Sequence, residues 1–201
     1  MRVYVEKNWF NYFHNMQPGI GWIIKVKIID TYYFTLWFDV ISSRNIEVLK
    51  WNNNIIMFSK IKDLVMFISS NNSTNFKNAM VYNEEKISLL INNKIESSKA
   101  YLSIDSYDLR SFLLLKRKKW SNLDLNELNN ILDDTNMLVD FYFSLRKEEP
   151  KELSEFLDYI TFILNSERKN LDSFDKKLIV KIINDMLEYV IEHTQIITRA
   201  K

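Results

Sequence analysis

Trp22-Ile23-Ile24-Lys25-Val26-Lys27-Ile28-Ile29-Asp30, followed closely by Tyr32-Tyr33-Phe34-Thr35-Leu36-Trp37-Phe38, decides how the chain is read. In the first run Trp22, Ile24, Val26 and Ile28 fall on one side of an extended chain, while Lys25 and Lys27 fall on the other. That period of two marks a strand with one wet face. The second run is apolar or aromatic on both sides, which puts it mid-sheet with cover on each face. Downstream, residues 47–51 and 55–58 flank Asn52-Asn53-Asn54, and Asn is the non-glycine residue that best tolerates the positive φ of a tight hairpin. Ser59 is placed to cap a short helix whose Ile61, Leu64, Val65 and Ile68 share a face. Residues 69–75 read as a loop, and 86–92 and 99–104 as further short strands.

Beyond Ile104 the period changes to 3.6. A helix is expected from Asp105 or Ser106 to about Lys116, and a longer one from Leu125 to Leu145. Pro150 suits the first turn of the next helix. In the last, expected from about Ser173 to Thr198, Leu178, Ile179, Ile182, Ile183, Met186, Leu187, Val190 and Ile191 form a stripe too wide for one contact. The expected fold is therefore α+β: an N-terminal antiparallel twisted sheet with a short helix, then a C-terminal helical bundle packed on or beside it. Without Pro- or Gly-rich linkers or an internal repeat, residues 1–201 are expected to form a single α+β domain, sheet-rich over 1–104 and helical over 105–201.

Composition narrows the chemistry. The 201 residues contain no Cys, two Gly, two Pro and two His. That leaves no thiolate nucleophile, no disulfide framework and no glycine-rich phosphate loop. With 27 Lys+Arg against 26 Asp+Glu, the net charge is +1, unlike the basic excess typical of a nucleic-acid-binding domain. No stretch resembles a signal peptide or a membrane span, so a cytoplasmic protein is expected. His14 sits in an aromatic, Asn-rich segment and His193 near a helix end, and no Glu-x-x-His pair accompanies either. No cofactor and no metal site are expected, and no nucleophile elbow points to a hydrolase.

Two charged segments remain. Lys116-Arg117-Lys118-Lys119-Trp120 combines phosphate-matching charge with a ring able to stack on a base. Acidic residues concentrate between 124 and 155, and Asp124, Glu127, Asp134, Glu148, Glu149 and Glu152 are the candidate partner-binding residues. Such a field would steer a basic protein, for instance a nuclease domain.

The order of three segments also resembles a known group. Residues 55–67, the run Tyr107-Asp108-Leu109-Arg110-Ser111-Phe112-Leu113, and Ile131-Leu132-Asp133-Asp134-Thr135-Asn136-Met137-Leu138-Val139-Asp140-Phe141 resemble bacterial immunity proteins of contact-dependent growth inhibition and related polymorphic toxin systems. In that group a Leu-Leu-Asp helix start leads to an Asn followed four residues later by Asp, matched here by Asn136 and Asp140. Where the group often has Trp before the Asn, this chain has Thr135. The resemblance spans roughly residues 20–145. It implies a non-catalytic cytoplasmic antitoxin that binds one cognate toxin domain, with Asn136 and Asp140 as a structural pair and the partner surface elsewhere. The alternative is a small nucleic-acid-associated or phage-type protein using 116–120.

Overall fold

The computed structural model describes residues 19–40, 45–51, 53–70, 104–166 and 174–198. They build an α+β fold. The strands are β1 (Gly19–Ile28), β2 (Thr31–Val40), β3 (Asn45–Val48), β4 (Lys50–Trp51), β5 (Asn54–Phe58), β6 (Ser106–Asp108) and β7 (Thr194–Ile197). The helices are α1 (Ile61–Ser70), α2 (Leu113–Arg117), α3 (Leu125–Arg146), α4 (Lys151–Ser166) and α5 (Lys176–Glu192). By packing, the described residues fall into two compact units. The first draws on residues 19–26, 31–40, 45–51, 53–70, 104–106 and 194–198, the second on 27–30, 107–166 and 174–193.

The sheet order runs β4-β5-β2-β1-β6, with β3 paired to β2 and β7 paired to β5. β2 sits mid-sheet, as its apolar sequence requires. Phe34 and Leu36 are buried on one of its faces and Thr35 on the other, where the Thr35 hydroxyl donates to the Ile56 carbonyl at 2.7 Å. On β1, Ile24 and Val26 are buried while Lys25 reaches out to lie 4.0 Å from the centre of the Tyr32 ring. β5 is buried from Ile55 through Phe58, and α1 lays Ile61, Leu64 and Phe67 against the sheet, with the Phe58 and Phe67 rings 5.3 Å apart.

The hairpin turn before β5 has Asn53 at a φ of 60°, the conformation its residue type favours. The turn between β1 and β2 uses Ile29 at a φ of 59°, which a β-branched residue enters at a cost of about 1–2 kcal/mol. Ile29 is 53% exposed, so little packing offsets that cost. Ile29→Asn is expected to raise stability by about 1 kcal/mol in urea unfolding. Ile29→Val, still β-branched, leaves it unchanged, and a destabilising Asn would show that Ile29 packs more than its exposure indicates.

The second half of the chain departs from the expected helices in two places. Residues 106–108 form β6, and the helix expected from there is reduced to the five residues of α2. The last helix stops at Glu192, and Thr194–Ile197 becomes β7. β7 runs parallel to β5, Ile55 opposite Thr194 and Phe58 opposite Ile197, so the sheet is mixed rather than wholly antiparallel. The isoleucines that continue the helical stripe are also strong strand formers, and the open edge of β5 supplies the hydrogen bonds that decide between the two. Ser59 does not cap α1. Its N–H donates to the Ile197 carbonyl at 3.3 Å, and the first turn of α1 is received by the Lys60 carbonyl. The expected strands at 86–92 and 99–103 lie outside the described residues.

In the second unit, α3 packs against both α4 and α5, and α2 packs on α5, which accounts for the width of the α5 stripe. Leu128, Ile131, Leu138 and Phe141 of α3, Leu153, Phe156, Ile160 and Ile163 of α4 and Ile179, Ile183, Met186 and Val190 of α5 are all buried, and the three helices pack pairwise on one another. Leu125 and Leu178 are exceptions to the sequence stripes, each more than 40% exposed at the first turns of their helices. Pro150 directly precedes α4, and its carbonyl accepts from Leu153 and Ser154.

Candidate functional site

The sequence-derived residues all lie in the second unit, and its turns and helix ends decide what each one does. Asp108 ends β6. Its N–H donates to Oδ1 of Asp134 on α3 at 2.9 Å, its own Oδ2 pairs with Lys27 Nζ at 2.8 Å, and its Oδ1 accepts the Arg110 N–H at 3.0 Å. One hydrogen bond thus ties the 107–113 segment to the 131–141 segment. Asp134 is 8% exposed, and burial pushes its carboxyl up to about 6. The Asp108 N–H and the nearby Ser111 hydroxyl pull it down, while the charges of Asp108 and Asp133 push it up. The Ser111 Oγ is buried and meets no partner at good hydrogen-bond geometry.

Asp134, expected on a partner surface, is therefore inside the unit. Asn136 is exposed on α3, and Asp140 is half-buried. Thr135, where the immunity-protein group often has Trp, is 2% exposed and so occupies an inward position.

The other acidic residues are on the outside. Asp124 caps α3, accepting the Glu127 N–H at 2.8 Å, while the Glu127 carboxylate accepts the Asp124 N–H at 3.2 Å. This reciprocal capping box satisfies two backbone donors that a helix start leaves open. Glu127 also pairs with Lys118. At the corner between α3 and α4, Glu148 accepts from Arg146 Nε at 3.0 Å, Lys151 lies 3.6 Å from Glu155, and Glu149 and Glu152 are exposed. Lys147, at a φ of 60°, turns the chain there. Asp124 and Glu127 do not join this corner, because they begin α3 and the corner lies beyond its far end.

The basic run is divided between roles. Trp120 is 5% exposed, its indole N–H donates to the Leu115 carbonyl at 3.0 Å, and its ring packs 5.3 Å from Phe156. The ring expected to stack on a base is core, and that removes the main chemical reason for a nucleic-acid reading of 116–120. Lys116 instead lines a groove of about 530 Å³ between α2 and α5, with Lys176, Lys177 and Lys181 from α5. Phe112, Leu113 and Val180 form its apolar part. Sequence reading passed over this groove because three of its four lysines come from a helix some sixty residues downstream.

His193 ends α5 with Nδ1 2.9 Å from the Tyr189 carbonyl and its ring stacked 4.1 Å from that of Tyr189. His14 lies outside the described residues. Among the described residues no three His, Asp or Glu side chains gather as a metal ion would require. No helix among them is long and apolar enough to cross a membrane.

No family model matches the sequence, and no curated protein matches it. Among solved structures, the chain is similar to the C-terminal domain of SatS, crystallised in complex with bromine, at 10% sequence identity and a TM-score of 0.54. The match covers 96% of this chain and 98% of that one. At that identity the likeness is one of fold, and it extends over nearly the whole length of both chains.

Proposed function

We propose that this chain is an immunity protein, which binds a cognate toxin domain one to one and neutralises it by occlusion, in the cytoplasm of the protected cell and without catalysis of its own. The observation that carries this reading is the Asp108–Asp134 hydrogen bond. It unites two of the three segments that resemble the immunity-protein group, so the resemblance covers a joined construction rather than two separate strings. Asp134 then serves the fold, as a buried acceptor that must be satisfied. Binding falls to exposed residues elsewhere on the unit.

The α3–α4 corner, with Glu149 and Glu152 exposed and Glu148 held by Arg146, offers a basic toxin a carboxylate-rich rim. Rim charges act mainly on the association rate. The test is to express the toxin domain encoded immediately upstream, with and without this chain. A one-to-one complex and restored growth are expected. In the complex, Glu148→Lys, Glu149→Lys and Glu152→Lys together are expected to slow association about tenfold at low salt. A toxin that kills equally with the chain present, and that forms no complex at micromolar concentration, overturns the reading.

A further inference from the structure

Four ion pairs match charges of the second unit close to home. Lys27 pairs with Asp108, Lys118 with Glu127, Arg146 with Glu148 and Lys151 with Glu155. The α2–α5 groove is different. Lys116, Lys177 and Lys181 are exposed on its rim, and no carboxylate of the described residues pairs with them. Asp185, the one carboxylate of the lining, is one turn beyond Lys181. Lys177 and Lys181 are four residues apart on one helix face, where like charges repel by a few tenths of a kcal/mol. The Lys176 ammonium donates to the Lys118 carbonyl at 2.8 Å, which ties the start of α5 to the segment leaving α2 and holds that end of the groove.

Between the lysines the surface is apolar. Leu113 and Val180 are half-buried and Phe112 lies beneath, 2% exposed. A phosphate backbone would use the charge and waste the apolar floor, and neither Phe112 nor the buried Trp120 offers a face on which a base could stack. A helix with an apolar stripe bordered by carboxylates would use both.

We propose that the α2–α5 groove docks an acidic amphipathic segment of a partner protein, its apolar side chains on Leu113 and Val180 and its carboxylates on Lys116, Lys177 and Lys181. The groove's chemistry does not depend on that partner being a toxin.

The test uses the full chain and a fluorescein-labelled helical peptide with Leu at every third or fourth position and Glu between, read by fluorescence anisotropy at low salt. Lys116→Ala, Lys177→Ala and Lys181→Ala combined are expected to weaken binding at least tenfold, and a scrambled peptide of the same composition several-fold. Because all three lysines are exposed, circular dichroism of the triple variant stays that of the parent. Lys181→Glu is expected to regain affinity for a peptide carrying Lys at the facing position. Equal binding by the triple variant or by the scrambled peptide overturns the proposal. So does tighter binding of a single-stranded oligonucleotide of matched charge. A toxin complex that survives the lysine substitutions places the toxin on another surface, and the peptide result still decides the groove.

Discussion

Phe156→Ala is expected to lower the stability of the helical unit by about 3–5 kcal/mol, the range for removing a fully buried phenyl ring. Phe156 is 0% exposed and is the ring around which the unit's aromatic core is arranged. Trp120 lies 5.3 Å from it on one side and Phe174 5.4 Å on another, with Tyr159 5.3 Å from Phe174. The backbone reinforces the site, since the Trp120 indole is held to the Leu115 carbonyl and cannot move far into a vacated space. A cavity that cannot collapse incurs the larger cost. Urea unfolding should show a lower midpoint at unchanged slope. Phe162→Ala, at a ring 54% exposed on the same helix, should change stability by less than about 0.5 kcal/mol. A loss below about 1 kcal/mol at Phe156 would mean that this cluster is not the centre of the core.

The same cluster shows where sequence reading reached its limit. Period alone identified α3, α4 and α5, because a buried helix repeats its apolar residues regardless of its neighbours. It also identified β1, β2 and the Asn53 turn. What it could not supply was anything set by distant parts of the chain. Residues 194–197 continue a helical stripe in sequence, and only the presence of β5 beside them makes a strand the better choice. Trp120 reads as an exposed ring because it follows four cations, and only Phe156, thirty-six residues away, draws it inward.

Charge misled for the same reason. Asp133 and Asp134 look alike in sequence, but Asp133 is exposed and takes the Asn129 amide at 2.9 Å, whereas Asp134 faces the Asp108 N–H and is buried. The lysine groove was invisible because its members lie in two separate segments, one of which has no basic run. Local neutrality also hid the contrast between them. Glu127, Glu148 and Glu155 each have a cation beside them, whereas Lys116, Lys177 and Lys181 have no carboxylate partner among the described residues.

Asp134→Asn is expected to change the pH dependence of stability strongly. Its carboxyl is raised to about 6 by burial, against roughly 3.9 in an unfolded chain. Between those values the folded protein binds a proton that the unfolded chain has released. Stability therefore falls as pH rises from about 4 to about 6, and this contribution is level above that. Two pH units correspond to about 3 kcal/mol. Asparagine keeps the oxygen that accepts the Asp108 N–H and removes the charge whose burial causes the shift. The variant should thus gain on the parent across that window, by up to about 3 kcal/mol, and hold the gain at neutral pH. Urea unfolding of both proteins at pH 4, 5, 6 and 7 reads this difference directly. A constant difference across the window would show that Asp134 titrates like an exposed carboxylate. A growing deficit would show that the charged form is the one the fold requires, with Asp108 and Ser111 outweighing burial.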